Sequence, residues 1–154
     1  MKLSNNFSLN EMTKSQTATR KGISNNPSED HMNNLKELCV NVLQRVRDHF
    51  GRVVSVSSGY RSPELCEAIG SSKTSQHAKG QAADFEIHGI SNAELVKWIS
   101  ENCVWDQMIL EFWKGPDEPN SGWVHCSYKK EGNRKQLLRA YKEDGRTKYE
   151  EYKY

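Results

Sequence analysis

Ser75-Gln76-His77-Ala78-Lys79-Gly80-Gln81-Ala82-Ala83-Asp84 is the stretch from which the rest of the chain is read. It offers an imidazole and a carboxylate, with Gly80 between them to allow a tight bend. The run from Gln81 to Ile87 predicts a strand with Asp84 near its middle. His77, in the loop before it, can then fold back beside Asp84. A catalytic zinc site takes three protein ligands and keeps one position for water. The third candidate is His125, in Gly122-Trp123-Val124-His125-Cys126-Ser127. Strand alternation sends Trp123, His125 and Ser127 to one face and Val124 and Cys126 to the other. Cys126 is therefore aimed away from a metal that His125 would hold. Many histidines serve only as solvated or hydrogen-bonded groups. Here the conjunction with Gly80, small Ala82 and Ala83, and an apolar strand around His125 singles out His77, Asp84 and His125.

Outward from that stretch, the chain alternates helix and strand signals. A short helix is expected around Ser8 to Lys14. Asn26-Pro27-Ser28-Glu29 reads as a helix start, with Asn26 as the cap, Pro27 in the first turn and Glu29 at the positive end of the dipole. Leu35, Leu38, Cys39, Val42, Leu43, Val46 and Phe50 follow at helical spacing, and Gly51 stops the helix. Val53 to Ser57 is a strand candidate. Ser62-Pro63 opens a brief helix to about Ile69, and a polar loop runs from Gly70 to Gln76. Ser91 to Glu94 is a capping box ahead of a helix carrying Leu95, Trp98 and Ile99. Strands are expected over 105–112 and 123–128, joined by a loop rich in Pro, Gly and Asp. Residues 137–142 and 146–152 flank Asp144-Gly145, a hairpin turn. The fold class expected is α+β, with helices packed on a mostly antiparallel sheet.

The 154 residues fit one domain, long enough to bury a core without staples. It is read as a single unit over 1–154, with an N-terminal arm over about 1–25 and a basic C-terminal hairpin over about 133–154. Charged residues make up 27% of the chain but the net charge is only +2, a balance that does not suggest a nucleic-acid binder. From Lys129 to Tyr154, nine basic residues face five acidic ones. That local excess is either a solvated surface or an aid in approaching an anionic polymer. No apolar run is long enough for membrane insertion. The first residues lack the apolar stretch of a signal peptide, so the expectation is synthesis in a cytosol. Four scattered cysteines without a Cys-x-x-Cys pair are expected to be free, mostly buried thiols. A monomer is expected. His31, His49 and His88 are assigned no metal.

The pattern Ser-x-His-x-x-Gly-x-Ala-x-Asp, with the later Trp-Val-His, resembles the zinc D-Ala-D-Ala carboxypeptidases and related phage endolysin peptidases. These share a metal-site architecture with lysostaphin-type enzymes and the hedgehog signalling domain. The likeness takes in Ser57-Ser58-Gly59-Tyr60-Arg61-Ser62 and extends weakly to Phe7–Met12 and Asp106–Glu111, so it spans about Phe7 to Arg134. It implies zinc as cofactor, with His77, Asp84 and His125 as ligands. It implies that Arg61 contacts the substrate and stabilises developing negative charge, a task that suits a forked, permanently charged guanidinium. The alternative for Arg61 is a structural ion pair. Ser75, a loop-former beside the site, and Trp123 are the other expected substrate-binding residues. Several relatives carry Glu three residues before the last zinc histidine, where this chain has Gly122. Glu111 is the candidate general base in its place, with Glu118 second, because a carboxylate ending an apolar strand is costly without a task or partner. The substrate implied is a peptidoglycan stem peptide, with the bond left open between carboxypeptidase and endopeptidase cleavage. A phage lysis enzyme, released from the host bacterial cytoplasm onto the cell wall, fits the missing signal peptide. The rival is a catalytically inactive zinc-stabilised module, cell-wall-binding or part of a virion, which would keep the three ligands and need no base.

Overall fold

In the computed structural model, which describes residues 1–154, the amphipathic segment read as one long helix is helical from Glu29 to Phe50. It comprises α3 (Glu29–Leu38), a π-helical turn (Cys39–Leu43) and α4 (Gln44–Phe50). The cap is Ser28 rather than Asn26: its hydroxyl accepts from the His31 N–H at 3.2 Å. The first helical residue is therefore Glu29, and Pro27 lies outside the helix, just before its cap. The π turn keeps Cys39, Val42 and Leu43 all buried, and Gly51, at φ 63°, closes the helix with its N–H on the Arg47 carbonyl.

Ahead of this helix lie β1 (Lys2–Ser4), β2 (Phe7–Ser8), α1 (Leu9–Thr13) and α2 (Gln16–Lys21). Leu3, Phe7 and Met12 from this segment are buried in the main core. After it come β3 (Ser55–Ser58), α5 (Pro63–Ala68), a 3-10 turn (Gln76–Lys79), β4 (Ala82–Glu86), α6 (Asn92–Asn102), β5 (Gln107–Glu111), β6 (Trp123–Ser127), β7 (Gln136–Glu143) and β8 (Arg146–Glu151). The expected strand at Val53 begins two residues later, since Val53 is exposed and only Val54 turns inward.

The six strands from β3 to β8 form one sheet in the order β3-β4-β6-β5-β7-β8. Every neighbouring pair is antiparallel except β5 with β7, so the α+β expectation of a mostly antiparallel sheet holds. Alternation gives the sheet two characters. Ala83 and Phe85 of β4, Met108 and Leu110 of β5, and Val124 and Cys126 of β6 join Leu35, Leu38, Val42 and Val46 of the long helical segment and Leu95 and Ile99 of α6 in a single core. The opposite face presents Asp84, Ile109, Glu111, Trp123 and His125. All four cysteines are free and buried. Burial pushes each thiol up, that of Cys39 to about 12. No helix is long and apolar enough to cross a membrane.

Candidate metal centre

Asp84 and His125 are direct partners across β4 and β6, so their side chains leave the same face of the sheet side by side. His125 Nδ1 lies 2.9 Å from Asp84 Oδ1. His77 arrives from the 3-10 turn, with Nε2 3.4 Å from the same oxygen. The turn is built for that placement. Ser75 caps it by accepting from the His77 N–H at 3.2 Å. Gly80 closes it at φ 72°, and a Cβ there would run into the His31 carbonyl oxygen. Only glycine satisfies both conditions.

Two anchors hold the turn to the rest of the fold. His77 Nδ1 is 2.7 Å from the Gly59 carbonyl oxygen, which can only accept. Nδ1 therefore carries a proton, and Nε2 is the ring nitrogen turned toward Asp84. Gly59 is itself pressed on Met12, the Tyr60 N–H donates to the Met12 carbonyl at 2.7 Å, and the Arg61 N–H donates to the His77 carbonyl at 3.1 Å. The second anchor is Asp106, fully buried just before β5. It accepts from Gln76 Nε2 at 3.0 Å and from the Arg134 side chain, whose Nη2 lies 2.8 Å from Oδ2. Burial raises the Asp106 carboxyl, but these hydrogen bonds and the guanidinium charge outweigh it and hold the group below its usual range.

One ligand atom from each of His77, Asp84 and His125 lies within 4.8 Å of the others. Burial would raise the Asp84 carboxyl, yet hydrogen bonds from His125 and His77 and their charge lower it well below the usual range. Two imidazole nitrogens and one carboxylate oxygen, with one tautomer fixed by a backbone carbonyl, form a donor set that fits zinc. The residues present thus suit the ion that the pattern implies.

Beside this group opens a pocket of about 390 Å³ whose walls include Arg61, Ser75, Gln107, Glu111, Trp123 and Tyr149. The structure therefore brings Arg61, Ser75, Trp123 and Glu111 together at the three candidate ligands. Arg61 Nε is buried without a partner, so the structure offers no ion pair to explain the side chain. Glu111, only 9% exposed, pairs with Trp123 of β6 on one side and Ala140 of β7 on the other. Burial pushes its carboxyl up to about 6, with the His125 charge pulling down and the Asp84 charge pushing up. Glu118 is exposed in the loop between β5 and β6 and takes no part in the pocket wall. Gly122 has φ 67°, and a Cβ there would run into the Glu111 carbonyl oxygen. In this backbone, position 122 has no room for a side chain of any kind.

Tyr149, Gln107 and the Gln76–Asp106–Arg134 anchor were not legible in the sequence. Arg134 is far along the chain from Asp106, and no periodicity links them. The pattern of residues 146–152 marks a strand, but the face of Tyr149 follows only from the register through β7 to β5.

A family model described as Peptidase M15 matches residues 5–127. No curated protein matches the chain. The match takes in His77, Asp84 and His125, Arg61 and Glu111, and ends at the last residue of β6. The chain belongs to the peptidase M15 family of zinc-dependent metallopeptidases.

Proposed function

We propose that this protein hydrolyses a peptide bond of bacterial peptidoglycan stem peptides, with zinc held by His77, Asp84 and His125. The observation that carries catalysis, rather than metal binding alone, is Glu111. An inactive module needs no second carboxylate. Here one is held, largely buried, in the same pocket as the three ligands, its pKa raised to about 6. A carboxyl at that value is ionised at neutral pH yet basic enough to take a proton during reaction.

Zinc bound at such a site lowers the pKa of water and polarises the scissile carbonyl. Glu111 accepts the proton of the attacking water and returns it to the departing amine nitrogen as the carbon–nitrogen bond breaks. Arg61 points its charge at the oxygen on which negative charge develops, where a preformed donor in a water-poor site is most effective. Trp123 and Ser75 border the path of the peptide. The His77 Nδ1–H on Gly59 keeps the imidazole in one tautomer throughout. Action on the wall after release from a host bacterial cytoplasm, as in phage lysis, belongs to the same reading, as does a monomeric enzyme.

The test is zinc content measured together with digestion of purified peptidoglycan, the products identified by mass spectrometry. One zinc per chain and release of stem-peptide fragments are expected, and the new termini identify the bond cut. Alanine at His77, Asp84 or His125 should lower occupancy and abolish release. Zinc bound stoichiometrically with no bond cut would favour the binding module instead.

A further inference from the structure

The region matched by the family ends at residue 127, but the sheet continues through β7 and β8, residues 136–151. These strands add to the β5 side, away from β4. Their register carries one row of the sheet outward from the pocket: Trp123 opposite Glu111, Glu111 opposite Ala140, Ala140 opposite Tyr149. Residues opposite one another in a sheet share a face, so Tyr149 stands on the face that bears the candidate ligands. Ala140 is buried and offers only a methyl group between Glu111 and Tyr149. Tyr149 forms part of the pocket wall together with Glu111.

Tyr149 is also poorly explained as a structural residue. It is 57% exposed, where large aromatic side chains usually find cover, and its hydroxyl has no hydrogen-bond partner in the structure. Partial loss of water along the pocket wall and the nearby Glu111 charge both raise its pKa, so the hydroxyl keeps its proton at neutral pH and remains a donor. A peptide in extended form offers carbonyl oxygens as acceptors along its edge. Within the pocket, Arg61 and Tyr149 supply donors from separate elements, α5's leading loop and the C-terminal hairpin.

We propose that Tyr149 is a substrate-binding residue whose hydroxyl donates to a carbonyl of the bound peptide, making the C-terminal hairpin one wall of the cleft. This rests on the peptidase reading above. The hairpin is then a specificity element that this chain adds beyond the matched region.

The test uses full-length zinc-loaded enzyme and a soluble muropeptide prepared from purified peptidoglycan. Tyr149→Phe removes only the hydroxyl and should raise KM roughly fivefold, the effect of one net hydrogen bond, with kcat within about twofold. Tyr149→Ala should raise KM further, on the order of tenfold or more. In the Glu111→Gln background, where turnover is slowed by about 10² to 10⁴, calorimetry should show muropeptide affinity weakened by the same factor in Tyr149→Phe. Melting temperature and zinc content should not change. Wild-type KM and affinity in Tyr149→Phe overturn the proposal, even if Tyr149→Ala is impaired. A wild-type enzyme that cleaves peptidoglycan while both Tyr149 variants match it overturns this inference alone. A protein that neither cleaves peptidoglycan nor binds muropeptide overturns the peptidase reading, and this inference with it.

Discussion

The Glu111 carboxylate sits in a strand paired on both sides, largely out of water, with its pKa pushed up to about 6. A carboxyl whose folded pKa is raised favours the folded state in its protonated form. Stability of the metal-free protein therefore falls as pH rises from the unfolded value, near 4.5, through about 6, and the cost is fully present above that. Glu111→Gln should make the chelator-treated protein more stable at pH 7 by about 1 kcal/mol, the shift being discounted for solvent at the pocket mouth. That gain should vanish at pH 4, as read by urea unfolding at the two pH values. With zinc bound, the same variant should retain the metal and lose about 10² to 10⁴ in turnover. Arg61→Lys keeps the charge but not the planar fork, so weak activity with full zinc content is expected. Turnover at the wild-type rate would instead assign Arg61 a structural role. Strand alternation makes the faces of Asp84 and His125 readable, whereas His77, in a 3-10 turn, is singled out only by the motif around Gly80 and its resemblance. Tyr149 was not, because its position depends on two strand pairings that no local pattern encodes.

Among the elements, the loop from β5 to β6 decides where a base can stand. Gly122 combines φ 67° with a backbone approach to Glu111 that leaves no space for a Cβ. Gly122→Ala should lower the melting temperature markedly, costing about 2 kcal/mol or more from strain and displacement of the loop. For the same reason, Gly122→Glu in a Glu111→Gln protein should fail to restore peptide hydrolysis, although it supplies the carboxylate where several relatives have one. Recovery of activity in that double variant would show that the loop yields. The helix start was displaced from Asn26 to Ser28. Asn25 instead bridges the Thr13 and Tyr60 carbonyls and accepts from the Ser62 N–H. Asn26 and Ser28, on either side of Pro27, offer similar capping chemistry, so residue type alone does not choose between them. The π turn at Cys39–Leu43 left no mark on a periodicity in which Cys39, Val42 and Leu43 already fell on one face.

Across the whole molecule, the site depends on groups far from it. Met12 is fully buried in the core and receives the Tyr60 N–H beside Gly59, whose carbonyl orients His77. Met12→Ala should cost about 2–5 kcal/mol and weaken zinc retention against a competing chelator. Unchanged zinc affinity in a clearly destabilised variant would uncouple the N-terminal segment from the metal centre. Asp106 gives the fold a pH dependence of opposite sign to that of Glu111. Its folded pKa is depressed, so its contribution is present above the unfolded value, near 4, and is lost as pH falls through the folded value. Asp106→Asn should lower stability at pH 7 and flatten the acid limb of a stability profile. The α+β class and the antiparallel bias were legible because the helical and strand periods were distinct. The parallel pairing of β5 with β7 was not, since it requires β6 to be placed first and then bypassed.

The four buried thiols give this fold a set of internal reporters. Cys39 lies in the π turn, Cys66 in α5, Cys103 at the end of α6 and Cys126 in central strand β6. An alkylating reagent reacts with the thiolate, which burial suppresses at all four. Labelling then requires the surrounding element to open, so each cysteine's rate measures the opening of its own neighbourhood. Pulse alkylation followed by mass spectrometry should modify Cys103, at a helix end, before Cys126, between paired strands. A common rate at all four would mean that the molecule opens only as a whole.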